Sequence, residues 1–107
     1  MDYRFSFIVL LMLGISCPTL AQDKNEAIRR AQDAVREKLK DPSSAQFKDV
    51  AYFQSGSLDV VCGQVNAKNA YGGYSGFREF LALNKVALIR MGFNRKIFDE
   101  AWDHFCR

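Results

Sequence analysis

The sequence is poor in the residues on which most small enzymes depend. It has a single histidine, His104, and three cysteines, Cys17, Cys62 and Cys106. One imidazole, with Cys62 and Cys106 lying 44 residues apart, offers no paired ligand spacing, so a zinc centre is not supported. His104 reads as a surface or rim residue, with Asp103 beside it and Glu100 one turn earlier. A Ser75–His104–Asp triad would need that lone histidine in the right place. "GYSGF" fails the G-x-S-x-G pattern because Phe77 stands where the second glycine belongs. "YGGYSG" is not followed by Gly-Lys-Ser/Thr, which excludes a phosphate loop. Glu79 is isolated in the middle of the chain, and the other acids fall mainly on helix faces, so no carboxylate pair for sugar hydrolysis stands out. Repeats, low-complexity tracts and proline-rich linkers are missing, as is a second long apolar run. The net charge of +3 is too mild to argue for nucleic acid. No catalytic residue, metal ligand or cofactor follows from these patterns.

The first residues read as an export signal. Arg4 and the amino terminus give a weak positive end, diluted by Asp2. "FSFIVLLMLGIS" is apolar but too short to span a bilayer comfortably, and Thr19 and Ala21 are spaced for cleavage before Gln22. The expected organisation is a signal peptide over 1–21 and a single domain over 22–107, with no transmembrane segment once the signal is removed. A periplasmic or secreted location follows. A lipoprotein anchored through Cys17 is the weaker alternative: Gly14 holds the place where leucine is wanted, Leu13 is one step early and Ile15 is bulky. Cleavage removes Cys17 and leaves Cys62 and Cys106, which should bridge in an oxidising compartment.

The spacing of Ala27, Ile28, Ala31, Ala34, Val35 and Leu39 predicts an amphipathic helix through "DKNEAIRRAQDAVREKLKDP", with Asp23 and Glu26 as a capping pair and Pro42 ending the run. From Gln46 the period falls to two. "QFKDVAYF" places Phe47, Ala51 and Phe53 on one parity and Val50 and Tyr52 on the other. "QSGS" is a turn about Gly56, and "LDVVCGQVNAK" is a second strand. There Val61, Val65 and Ala67 share one face, and Cys62, Gln64, Asn66 and Lys68 share the other. Gly63 in mid-strand suggests a bulge or a close backbone neighbour. "FREFLAL" and "KVALIRM" are two strands about Asn84, or one bent strand. Asn94 caps a last helix whose apolar face is Ile97, Phe98, Ala101, Trp102 and Phe105. The fold class expected is α+β: an N-terminal helix, a three- to four-stranded antiparallel meander, and a C-terminal helix pinned by the Cys62–Cys106 disulfide.

Glycine is concentrated where function is most readily placed. Gly63, Gly72, Gly73 and Gly76 fall within one short stretch, and Tyr71 and Tyr74 flank the central pair. Tyrosine offers a wide apolar face and a hydroxyl with few rotors to freeze, which suits recognition. Asn66, Lys68 and Asn69 lie just upstream and Arg78 just downstream. These six residues form the candidate partner-binding set. The alternative is structural: the tyrosines cover the sheet, and the asparagines bond the turn backbone. Residues 60–96 also hold Lys68, Arg78, Lys85, Arg90, Arg95 and Lys96 against Glu79 alone, a basic face that can simply be solvated.

"LKDPSSAQFKDV", "VCGQVNAKNAYGGYSGFREF" and the closing "AWDHFC" together resemble a group of small exported bacterial proteins. That group carries a DPxSAxF segment, a VCGxVNxKNxxGGYxGFxxF segment and a C-terminal Trp/Cys helix. The resemblance covers most of the chain after the signal. It implies a bacterial envelope setting and no mechanism, and it draws attention to Cys62, Gly63, Asn66, Lys68, Asn69, Gly72, Gly73, Tyr74, Gly76 and Phe77. The expectation is then an exported, non-catalytic binding module whose partner is a protein or an envelope polymer. The alternative is a small secreted hydrolase or nuclease using Lys68, Arg78 and Glu79 or His104.

Overall fold

The computed structural model of the protein describes residues 20–107, with side chains from Lys24 onward. The expected signal segment and Cys17 lie outside the described residues, apart from the backbone of Leu20 and Ala21. Helix α1 spans Leu20–Arg36, so the expected cut after Ala21 falls in its first turn. Asp23 is therefore inside the helix and is not its N-cap. The other end corrects the expectation too. The helix stops at Arg36, because Lys38 N–H donates to Val35 O and Leu39 N–H to Arg36 O, each at 3.0 Å, and these tighter i→i+3 bonds swing Lys38–Lys40 off the helix axis. A 3₁₀ turn, Pro42–Ser44, leads into the sheet.

Four strands follow as an antiparallel meander: β1 Gln46–Ser55, β2 Leu58–Asn66, β3 Arg78–Leu83 and β4 Val86–Ile89, in the spatial order β1-β2-β3-β4. "FREFLAL" and "KVALIRM" are thus two strands, turned at Asn84, whose φ of 55° is one asparagine tolerates. A 3₁₀ turn at Gly92–Asn94 and helix α2, Arg95–Phe105, complete the chain. The α+β class, the meander and the two flanking helices are as the sequence predicts.

Alternation along the strands sorts the core into two half-cores. Val61, Val65, Phe80, Ala82, Ala87 and Ile89 face one way and pack against Ala31, Ala34 and Val35 of α1. Val60, Cys62 and Leu81 face the other way and pack against Phe98 of α2, with Trp102 and Phe105 beside it. Alanines on α1 let the helix lie close on the sheet, so its attachment comes from fit more than from apolar area. The disulfide Cys62–Cys106, with Cα atoms 6.1 Å apart, ties the end of α2 to β2. Ile97 does not join the apolar face: it is 67% exposed, one helical step off the stripe that Phe98, Ala101, Trp102 and Phe105 form. Asn94 makes no side-chain cap to α2. It accepts from Met91 N–H at 2.7 Å and donates to Ile89 O at 2.9 Å.

The expected parity of β1 is corrected by a bulge. The register pairs Lys48 with Gln64 and Ala51 with Cys62, so Asp49 and Val50 together oppose Gly63. Asp49 takes φ 54°. The extra residue carries Phe47 to the same side as Val50 and Tyr52, where all three pack on the α1 half-core. Phe53, grouped with Phe47 by simple alternation, stays 41% exposed. Gly63 meets both halves of its expectation. A Cβ there would lie 2.9 Å from Phe80 Cε2 and 3.2 Å from Val50 Cα. Phe80 is fully buried and cannot swing away. Gly63→Ala should therefore lower the unfolding free energy by about 1–3 kcal/mol, read as an earlier urea midpoint with unchanged slope. An unchanged midpoint would show that the close approach is relieved without cost.

Candidate functional site

The chain between β2 and β3 is built on two asparagines and one serine. Asn66 Oδ1 accepts from Gly76 N–H at 3.1 Å, where Gly76 takes φ 103°. Asn69 Oδ1 accepts from the N–H groups of Tyr71, at 2.9 Å, and Gly73, at 3.2 Å. The Asn69 backbone closes the same turn, donating to Gly73 O at 2.8 Å and accepting from Gly72 N–H at 3.0 Å. Lys68 and Tyr74 form an isolated antiparallel bridge beneath it. Ser44, before β1, fastens this bridge to the body: its hydroxyl accepts from Lys68 N–H at 2.8 Å, and its carbonyl accepts the Tyr74 hydroxyl at 3.0 Å. The loop is thus braced: the N–H groups of Asn69, Tyr71, Gly72, Gly73 and Gly76 are bonded within it, and that of Lys68 to Ser44.

The six candidate binding residues are thereby divided. The amide oxygens of Asn66 and Asn69 serve the loop's own backbone. Tyr74 is 44% exposed and held at its hydroxyl, with the Lys68 ammonium 5.9 Å from its ring centroid. Tyr71 is 97% exposed at the tip. Arg78 and Lys68 line an adjoining hollow, and so are brought together with each other but not with Tyr71. Phe77, outside that set, lies under the Lys48 ammonium at 4.3 Å.

Two hollows flank the base of the loop, and Arg78 and Met91 line both. Arg78 Nη1 donates to Met91 Sδ at 2.7 Å. The larger hollow, about 460 Å³, is lined by Gln64, Glu79, Arg90 and Arg95 among others. Of its three arginines only Arg90 is ion-paired, 3.6 Å from Glu79 and 3.1 Å from Asp99; Arg78 and Arg95 have no carboxylate in range among the described residues. Arg90 Nε is buried and off the line a hydrogen bond needs, while Nη2 donates to Asp99 at 3.3 Å. The second hollow, about 250 Å³, lies over the α1 side of the sheet. Lys38, Lys40, Lys68 and Arg78 surround a floor that includes Leu39, Val65 and Ile89, and no acid lines it.

Sequence reasoning missed Lys38, Lys40 and Ser44. The sequence pattern puts the two lysines in the last turn of a helix, and the early end of α1 turns them toward the loop. The signal for Ser44 was present in the DPxSAxF segment, whose serine joins it to the glycine-rich segment. Of the groups considered for catalysis, Arg78 and Glu79 line the larger hollow and Lys68 and Arg78 the second. His104 lies exposed on α2, edge-on to Phe105 with centroids 4.6 Å apart, and lines none of the hollows named here. Among the described residues no group of three or more His, Cys, Asp and Glu side chains could hold a metal. None of the described helices is long and apolar enough to cross a membrane. Comparison with protein-family models, with curated proteins and with solved structures returns no match.

Proposed function

We propose that the protein is an exported, non-catalytic binding module that presents the loop between β2 and β3 to a protein or polymer of the bacterial envelope. The observation that carries this reading is Tyr71: an aromatic ring 97% exposed, on a turn braced by Asn69 and ultimately by Ser44. A floppy tip would lose ordering entropy on contact, whereas a braced one has already lost it. A nearly free tyrosine adds nothing to the core, so contact with a partner is the reading that gives it a role. The disulfide supports a location outside the reducing cytoplasm, and with the expected signal segment it supports the periplasmic or secreted reading.

The test is capture of partners from envelope extract by the oxidised protein beside its Tyr71→Ala variant, followed by affinity measurement on what is retained. Tyr71→Ala should weaken binding by about 2 kcal/mol, roughly thirtyfold, without changing the melting temperature. Equal affinity for both proteins would move the interaction off this tip. Tyr74→Ala is the poorer variant, because it also breaks the tie to Ser44.

A further inference from the structure

The two hollows at the base of the loop are lopsided in charge. Lys38, Lys40 and Lys68 line the one on the α1 side, Arg90 and Arg95 line the larger one, and Arg78 lines both. Among the described residues Glu79 is the one acid that lines either. Arg90 is held by carboxylates, between Glu79 and Asp99, and the other five cations have none in ion-pair range among the described residues. They come from separate parts of the chain: the segment after α1, the loop, the start of β3 and the start of α2. Cations gathered in this way repel one another, and an anionic occupant relieves the repulsion.

The sheet sets the two hollows side by side. Gln64 pairs with Glu79, and Arg90 N–H donates to Glu79 O at 2.9 Å, so the three side chains form a polar row across β2, β3 and the end of β4. Two residues along the same strands, Cys62 and Leu81 pack under α2; the polar row lies past the start of that helix and floors the larger hollow. The Arg78–Met91 contact, 2.7 Å from Nη1 to Sδ, is the wall it shares with the α1-side hollow. A single small anion fills one hollow or the other, whereas a chain with repeated charges reaches both. The uncharged groups narrow the class of chain. Phe77, 40% exposed, lines the larger hollow together with the Gln64 amide and the Glu79 carboxylate. An aromatic face suits the C–H side of a pyranose ring, and the amide and carboxylate accept from sugar hydroxyls. An acidic peptide gives Glu79 no side-chain donor and is repelled by it; a uronic-acid chain brings hydroxyls with every carboxylate.

We infer that the two hollows together receive an acidic polysaccharide, laid across the base of the loop over Arg78. Its carboxylates are set on Lys38, Lys40 and Lys68 to one side and on Arg95 to the other. Arg78 stands between them, and its planar fork matches a carboxylate. The inference rests on the reading of the protein as an exported binding module and supplies the chemistry of a polymer partner.

The probe is hexagalacturonate, titrated into the oxidised protein by calorimetry and amide NMR, with neutral maltohexaose as its control. The acidic glycan should bind and shift the amides of Gly76, Arg78, Glu79 and Arg95; the neutral one should not. Affinity should fall about tenfold for Arg78→Gln, for Arg95→Gln and for the Lys38→Gln/Lys40→Gln double variant, with melting temperatures unchanged. It should fall again when salt is raised several-fold. Lys24→Gln/Lys85→Gln, which removes equal charge from residues lining neither hollow, should leave affinity unchanged. Equal loss in both double variants, equal binding of maltohexaose, or no binding would overturn the inference. Full affinity in Arg95→Gln, or monomeric galacturonate binding as tightly as the hexamer, would reduce the surface to a single-anion site and overturn it too. So would tighter binding of oligoglutamate or oligothymidylate with the same amides shifted, which would make the surface one for peptide or nucleic acid. Tyr71→Ala should bind hexagalacturonate as the wild type does. Failure of the loop tip and failure of the hollows are therefore read separately.

Discussion

Replacing Cys62 and Cys106 together by alanine is expected to lower the unfolding free energy by about 2–5 kcal/mol, and reduction of the native protein should do the same. The bridge closes a loop of 44 residues, for which chain entropy alone gives roughly 4 kcal/mol. Set against a typical net stability of about 5–15 kcal/mol, that is a large share. The structure adds where the loss will fall. Phe98 is the one residue of α2 that is fully buried; Ala101, Trp102 and Phe105 only lean on the β2–β3 surface. Without the bridge, α2 should exchange its amide hydrogens first, while the half-core under α1 keeps its protection. Urea unfolding of the oxidised and reduced protein measures the total, and hydrogen exchange measures its distribution. Equal midpoints, or uniform loss of protection on both faces, would count against this division.

The second large effect belongs to Phe80. Its side chain is wholly buried, edge-on to Phe47 with centroids 5.6 Å apart, and its ring lies over Gly63. Phe80→Ala should cost about 3–5 kcal/mol, since it removes the largest fully buried side chain of the α1 half-core and leaves a space that β2 and β3 cannot collapse to fill. The same contact predicts a coupling. Gly63→Ala is harmful because its methyl meets the Phe80 ring; with that ring gone, the methyl has room. The double variant should therefore be more stable than the sum of the two single losses implies, by about 1 kcal/mol. Strict additivity would mean that Val50, and not Phe80, is what Gly63 avoids.

Much of this architecture is legible in the sequence because its signals are local. The alanine stripe of α1, the turns at Gly56 and Asn84 and the apolar face of α2 depend on residues a few positions apart. The disulfide follows from counting cysteines. The misplaced features depend on contacts across the chain. The parity of β1 could not be read without knowing that two of its residues face Gly63. The sequence pattern carries α1 on to Pro42, because nothing in "EKLKDP" announces the tightening after Arg36. At the candidate site, composition pointed to the loop but could not separate the asparagines that build it from the tyrosine it displays. Lys38 and Lys40 join Lys68 and Arg78 only once α1 is laid across the sheet.

The bulge in β1 has a consequence for how this chain can change in length. Ahead of Asp49, every side chain of the strand is out of phase with those behind Val50. The role of position 49 is thus numerical: any residue that accepts a φ near 54° can fill it, and asparagine or glycine would do so with less strain. Its deletion is another matter. Losing one residue would turn Phe47 out toward the α2 side and swing Lys48 in beneath α1, inverting the beginning of the strand while the composition of the protein hardly changed. Substitution at Asp49 is thus limited by its backbone angle, whereas deletion there changes the face of every residue ahead of it.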